Sequence, residues 1–412
     1  MASYLLRKTI RRMPGVVIKA VPKPHPEVTE GFQSRKQAGQ ICKAKGYESC
    51  LLVTDQTLFA LGYHEVIVQA LEENGIRCAV FHDIASEPTV EIIETGSNAA
   101  LSCCADCVIA LGGGSVLDAS KMIVSELHLH RRRVKSLLHK FLYVRGKSVP
   151  MISIPSTAGT GAEITVGAVV TKSDKGAKGS TVVIGLNIVH VILDSELTMK
   201  APRTVTAACG IDALSHGLEG VVAAVKVHEK DMLESKECVR LVLENLPVVL
   251  KTPDCETSRL AMCRAAMYGG NAINAQLAGY IHAFAHSIGA LYHIPHGNAI
   301  ALSLLPVMQF QKAKCLLRLS ELAVYCRLAD SADNPEAAAD KLLNAIEALI
   351  LACDFPKRGR FIPREDYPLL IKRISNDSIN YSAPVVLSRK DISRLLDEIN
   401  GSKEKSHAIY RS

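Results

Sequence analysis

Asp212 and His216 in IDALSHGLEG, with His282 and His296 in GYIHAFAHSIGALYHIPHGNA, are the residues of this chain whose types and spacing speak most directly of chemistry. One carboxylate and three imidazoles, arriving as two pairs from separate segments, form a ligand set for one divalent first-row metal ion. Both segments read as helical, with Ala, Leu and Ile between the polar residues. Asp212 and His216, at i and i+4, therefore project from one face toward a common point. A single His on an apolar helix is more often a hydrogen-bonded core residue, but four candidates in two compact motifs fit that reading poorly. His286, one turn beyond His282, and His293, three before His296, are spare imidazoles close to the same point. His128 and His130 in HLHRRR have no acid beside them and read as a solvated face.

Two small-residue loops carry a second chemistry. GGGSVLDASK at 112–121 follows a predicted strand and opens a predicted helix. Its consecutive glycines let backbone approach a ligand, and the N–H groups at a helix start attract a pyrophosphate. The spacing is not the G-x-G-x-x-G of the usual dinucleotide fold. PSTAGTGAE at 155–163 adds the hydroxyls of Ser156, Thr157 and Thr160, or else is a helix N-terminal turn with no ligand. Two such loops after neighbouring strands favour one cofactor crossing both. Asp55 ends the strand CLLVTD, where an acid accepts hydrogen bonds from an adenosine ribose and repels a 2′-phosphate. The following TDQTL equally suits Asp55 as a helix N-cap.

The elements that must position these groups follow from the hydrophobic pattern. CLLVTD (50–55), IRCAVF (76–81), CVIALGGGS (107–115) and VPMISIPS (149–156) read as buried strands, separated by helices near 64–74 and 88–104. This alternation implies parallel pairing through crossover helices. VVTK at 169–172 and VHVILD at 189–194 are expected to extend the same sheet. After Pro202 the texture changes to long Ala-, Leu-, Glu- and Lys-rich stretches, among them 229–250, 256–275, 334–353 and 389–399. The reading is a basic extension over 1–22, an α/β Rossmann-like dinucleotide-binding domain over 23–200, and an all-α metal-binding catalytic domain over 201–412.

Composition narrows the class. The 412 residues are 48% hydrophobic and 22% charged, and two domains are expected at this length. A formal charge of +7 is modest, and with 5% aromatic residues and no recognition motif it argues against a nucleic-acid partner. Thirteen cysteines without paired CxxC spacing fit reduced thiols in a cytoplasmic compartment. No apolar run reaches the ~18 residues of a membrane helix. The first 26 residues hold six Lys or Arg and no acid. They suit a solvated or self-packed extension, a membrane-surface helix or a transit peptide.

Taken in order, GGGSVLDASK, PSTAGTGAEIT, GIDALSHGLEG and HAFAHSIGALYHIPHG resemble the motifs of the iron-dependent, or group III, alcohol dehydrogenases, from about Pro22 to the C-terminus. The resemblance implies a Rossmann-like domain, a helical domain, and a cleft holding NAD(P) and metal. It implies Asp212, His216, His282 and His296 as metal ligands, for Fe2+ foremost and Zn2+ as the alternative. Gly113, Gly114 and Ser115 match the pyrophosphate loop, Ser156, Thr157 and Thr160 the second cofactor loop, Lys178 a cofactor-contacting lysine, and Asp55 the acid that favours NAD over NADP. His286 corresponds to a histidine near the nicotinamide that helps move protons. Two departures stand out: DSEL at 194–197 where the family usually reads DPEL, and Ile188 where a proline is common. The expected activity is NAD-linked oxidation of a small alcohol, or reduction of the aldehyde or ketone, by a homodimer or higher homo-oligomer. Rival readings are a hydroxyacid–oxoacid transhydrogenase, a dehydroquinate synthase-like lyase, and a non-catalytic metal- and nucleotide-binding protein.

Overall fold

A computed structural model describes residues 22–84, 88–128, 141–144, 148–172, 177–355, 361–379 and 381–401. The basic extension lies outside the described residues. The chain forms two compact units, one of the described residues up to Ala201 with Asp254–Gly270, the other of Pro202–Pro253 with the residues from Asn271 onward.

In the first unit the strands are β1 (Glu27–Gly31), β2 (Ser49–Asp55), β3 (Arg77–Ile84), β4 (Cys107–Gly112), β5 (Phe141–Tyr143), β6 (Met151–Pro155), β7 (Gly167–Lys172), β8 (Ala177–Ile184) and β9 (Ile188–Asp194). Six of them make a sheet in the order β1-β9-β6-β4-β2-β3, every pairing parallel. The helices here are α1 (Ala38–Ala44), α2 (Gln56–Ala60), α3 (Glu65–Glu73), α4 (Val90–Ser102), α5 (Gly114–His128) and α6 (Ser195–Met199). Successive strand residues point to opposite faces. Leu51 and Val53 join a core with α4 and α5, while Cys50 and Leu52 join another with α1 and α3. Burial on both faces explains why these strands are unbroken apolar runs rather than alternating ones.

One expectation is corrected. VHVILD does enter the parallel sheet as β9, but VVTK does not extend it: as β7 it pairs antiparallel with β8 in a separate three-stranded sheet, β5-β8-β7. A short β-branched run reads as a strand without stating which sheet accepts it.

Buried charge pins the unit together. Asp194, fully buried at the end of β9, accepts the backbone N–H of Gln33 (3.0 Å), Arg35 (3.2 Å) and Glu196 (3.1 Å) and the Arg35 guanidinium (2.7 Å). The next residue, Ser195, opens α6 with a buried hydroxyl that has no hydrogen-bond partner among the described residues. Proline would leave no such orphan at the first turn of a helix. Lys121, fully buried on α5, donates to Asp118 (2.9 Å), Thr165 Oγ1 (3.0 Å) and the Gly167 carbonyl (2.7 Å). The lysine of the glycine-loop motif is thus a clamp between α5 and the chain entering β7.

The second unit is helical: α7 (Arg203–Val222), α8 (Glu229–Lys251), α9 (Glu256–Gln276), α10 (Tyr280–Tyr292), α11 (His296–Tyr325), α12 (Pro335–Ala352), α13 (Tyr367–Ser378) and α14 (Arg389–Ile399), with α9 contributing its residues through Gly270 to the first unit. Every residue of α7 from Gly210 to its end is buried, which makes it the central helix of this bundle, packed against α8 and α11. Among the described residues no helix is long and apolar enough to cross a membrane.

Glu163 closes the second small-residue loop with its side chain buried, and neither oxygen reaches a hydrogen-bond partner in another described residue. Burial pushes its pKa up to about 7, with Lys121 pulling the other way. An acid that is harder to ionise in the folded chain stabilises the fold below its ordinary pKa and loses that contribution as pH rises through about 7. Glu163→Gln should therefore match the parent near pH 4.5 and exceed it at pH 8 by on the order of 2–3 kcal/mol in denaturant melts. Parallel stability curves for the two proteins across that range would remove Glu163 as the cause.

Candidate metal centre and nucleotide-binding loops

The three helices α7, α10 and α11 bring four side chains to one point. Asp212 Oδ1 lies 3.6 Å from His216 Nε2, 3.5 Å from His282 Nε2 and 3.2 Å from His296 Nε2. The ligand atoms of Asp212, His282 and His296 all lie within 4.8 Å of one another. His216 joins them through His282, Nε2 to Nε2, at 3.1 Å, with the two rings stacked. Asp212, His216 and His282 are buried, whereas the His296 side chain is 42% exposed and leaves the cluster reachable from solvent. Placing His296 here requires α11 to start hard against α7. A Cβ on Gly297 would stand 2.5 Å from the Ala208 Cβ, so a larger residue would push the helix away.

A residue that the sequence reading missed holds this cluster in place. Glu219 lies seven residues after Asp212, so the two share a face of α7 with His216. That i, i+4, i+7 spacing was the available signal. Glu219 faces His282 Nδ1 at 2.8 Å and also accepts the backbone N–H of Gly279 (2.6 Å) and of His282 (3.2 Å). With Nδ1–H directed at the carboxylate, His282 turns its Nε2 toward the cluster.

The electrostatics fit a cation. Asp212 Oδ1 is buried, faces three imidazole nitrogens and satisfies hydrogen-bond geometry with none of them. Burial opposes ionisation of Asp212, but His216 and His296 hold it well below the usual carboxylate range. Burial pushes His216 down to about 4. Burial also works against a charged His282, yet the carboxylates of Glu219 and Asp212 prevail and push it up to about 10. A carboxylate with three imidazoles, in so small a volume, is a donor set that suits borderline divalent ions.

His286 is beside this cluster, its ring centroid 5.5 Å from that of His282 and 5.2 Å from that of His296. Crowding by protein atoms, then the charges of His282 and His296, hold it well below the ordinary imidazole range, although its ring remains open to solvent. His293 is different: exposed and in the left-handed conformation, it ends α10 and turns the chain toward α11.

The loop residues occupy the carboxyl ends of adjacent strands in the first unit. Gly112 pairs with Pro155 across β4 and β6, so Gly113, Gly114 and Ser115 emerge beside Ser156, Thr157 and Thr160. A Cβ on Gly113 would stand 3.5 Å from the Thr157 methyl, and one on Gly114 would stand 3.3 Å from that of Thr160. The two loops therefore face each other, with the first turn of α5 between them. Asp55 ends the neighbouring strand β2, where its Oδ1 accepts the N–H of Leu58 at 2.9 Å and caps α2. Lys178 lies on β8, in register with Thr171.

Comparison with known proteins follows the same division of the chain. Residues 25–195 match the model described as iron-containing alcohol dehydrogenase, and residues 206–400 match that of the Fe-containing alcohol dehydrogenase family, C-terminal. The chain is 30% identical over 366 residues to bifunctional aldehyde-alcohol dehydrogenase AdhE of Escherichia coli (strain K12), covering 81% of this chain but only 40% of that protein. It is 31% identical to 1-propanol dehydrogenase PduQ of Salmonella typhimurium, over 78% of this chain and 85% of that one. It is 28% identical to NAD-dependent methanol dehydrogenase of Bacillus methanolicus, over 88% and 94%. The fold matches the crystal structure of a 1,3-propanediol oxidoreductase with a TM-score of 0.84 at 24% identity, over 92% of this chain and 99% of that one. Similarity that spans both units, and covers most of the length of single-function relatives, leads to one assignment: the chain belongs to the iron-containing alcohol dehydrogenase family.

Proposed function

We propose that this protein is a metal-dependent, NAD(H)-linked dehydrogenase that oxidises a small alcohol or reduces the corresponding aldehyde or ketone. The observation that carries the reading is the convergence of the Asp212 carboxylate and three imidazole nitrogens around one buried, unsatisfied oxygen. Family membership and the NAD dependence named for the methanol dehydrogenase relative support the cofactor.

Asp212, His216, His282 and His296 would hold the divalent ion, Fe2+ foremost and Zn2+ as the alternative, and Glu219 would keep His282 oriented toward it. Gly113, Gly114 and Ser115, at the start of α5, would receive the cofactor pyrophosphate on backbone N–H groups, with Ser156, Thr157 and Thr160 opposite and Lys178 as a further contact. Asp55 would accept hydrogen bonds from the adenosine ribose. Bound in these places, the ion supplies Lewis-acid stabilisation of negative charge on oxygen and the nicotinamide supplies hydride acceptance. His286, neutral at working pH and open to solvent, would take the proton released from the alcohol and pass it outward. A cytoplasmic location, supported by thirteen cysteines without a disulfide, and a homo-oligomeric state are part of the proposal.

The direct test is a panel of small alcohols and aldehydes offered to protein reconstituted with Fe2+ or Zn2+. Steady accumulation of NADH is expected with at least one alcohol. Metal-loaded protein that turns over only a paired hydroxy acid and oxo acid, with no free NADH, would favour transhydrogenation instead.

The ligand set makes a separate demand. His282→Ala should abolish tight metal binding, and Glu219→Gln should weaken it about 10- to 100-fold in chelator competition. Full metal occupancy of the His282→Ala protein by elemental analysis would remove His282 from the set.

Asp55 bears on cofactor choice. Its carboxylate would oppose a 2′-phosphate by on the order of 1–3 kcal/mol, a preference of roughly ten- to a hundredfold for NAD. Asp55→Gly should narrow that ratio, and glycine keeps most of the capping at α2. A parent enzyme that prefers NADP would show the assignment to be wrong.

His286→Ala should retain metal and bind NAD while losing at least about tenfold in turnover. Unchanged kinetics would leave His286 a packing residue.

A further inference from the structure

Tyr381 stands on the loop between α13 and α14, and neither its residue type nor its spacing singled it out. Its Oη lies 3.4 Å from His286 Nδ1. At that length the contact is longer than an ordinary hydrogen bond, as contacts of this kind commonly are before substrate binds. The loop is fastened just after the phenol, at two points. Ser382 Oγ accepts the Val225 N–H at 3.1 Å, and Tyr280 on α10 donates its hydroxyl to the Val385 carbonyl at 2.6 Å. Tyr280 lies on the same helix as His282 and His286, so the helix that carries the imidazoles also carries the tie that holds the loop.

We infer that Tyr381 is a positioning residue for His286: its phenol oxygen accepts a hydrogen bond from Nδ1–H and so leaves Nε2 bare for proton transfer. A neutral imidazole carries one proton on either nitrogen, and the partner of one nitrogen decides what the other can do. Glu219 settles that question for His282. Among the described residues Tyr381 is the group placed to settle it for His286. Burial, then the charges of Asp377 and Glu219, push the phenol up, so it remains a neutral hydroxyl rather than a second anion. A neutral acceptor orients the ring without adding an anion beside the metal cluster.

This inference rests on the proton-handling reading of His286, and two measurements separate the two. The first is Tyr381→Phe in the metal-loaded enzyme, which removes the hydroxyl and keeps the ring. The loss of one neutral hydrogen bond should lower kcat roughly three- to tenfold, with KM, metal content and melting temperature unchanged. The second is NMR of metal-free protein labelled with 15N-histidine, with His286 assigned by its absence in His286→Asn. The parent should show His286 protonated on Nδ1, and Tyr381→Phe should shift the population toward the Nε2–H form. Parent-like kcat in Tyr381→Phe, an unaltered tautomer, or a loss confined to KM and melting temperature would each overturn the positioning role. Full turnover by His286→Ala would sink the proton-handling reading alone, since the tautomer measurement still decides whether Tyr381 holds the ring.

Discussion

A buried carboxylate oxygen that meets no described residue with hydrogen-bond geometry is the constraint on which the second unit depends. Asp212 Oδ1 faces His216, His282 and His296 at 3.2–3.6 Å, and hydrogen-bond geometry is met with none of them. Burying a carboxylate oxygen without a hydrogen bond costs free energy, so an arrangement of this kind persists only where a cation completes it or the surrounding helices over-determine it. Both conditions find support here. The donor set suits a divalent ion, and the close approach of Gly297 to Ala208, together with the three bonds of Glu219 to the start of α10, fixes where the imidazoles stand.

The first unit solves a different problem with the same economy of means. Parallel strands buried on both faces present their carboxyl ends as a row of loops. Gly113 and Gly114 face Thr157 and Thr160 because β4 and β6 are neighbours in that row. Asp118 and Lys121 belong to the same motif but serve the fold. The Lys121 ammonium, fully buried, is shared between Asp118, Thr165 and Gly167, which keeps the first turn of α5 at a fixed height beside the second loop. Part of a motif that reads as ligand-binding is therefore a brace within the fold.

Departures from the family pattern acquire a physical meaning in this setting. Ser195 replaces a residue type that would need no partner at the first turn of α6, and its hydroxyl is left buried and unbonded. The adjoining Asp194 is held by four donors, so the strand end keeps its shape regardless. Glu163 is the opposite case, an acid buried without support, and its carboxyl holds a proton up to about pH 7 as the cheaper alternative to charge.

The sequence by itself determined most of what local pattern controls. Apolar runs of strand length alternating with helical spacing specified the parallel α/β unit. Long periodic stretches specified α8, α9, α12 and α14 nearly to their ends. The i, i+4 pair of Asp212 and His216 specified two polar side chains on one helix face, because spacing along a helix is itself geometry. Tertiary structure decided what depends on partners distant in the chain. VVTK joined the smaller sheet because β8, not its own composition, supplied the pairing edge. Asp55 caps α2 in the folded chain, one of two duties its position allowed. Glu219 became the orienting acid because α10 begins against it, 60 residues away in sequence. Tyr381 came to lie at His286 because a loop 95 residues on is tied back to α10. A hydrogen bond between distant segments leaves no periodicity in either one, so only the packed structure could bring those pairs together.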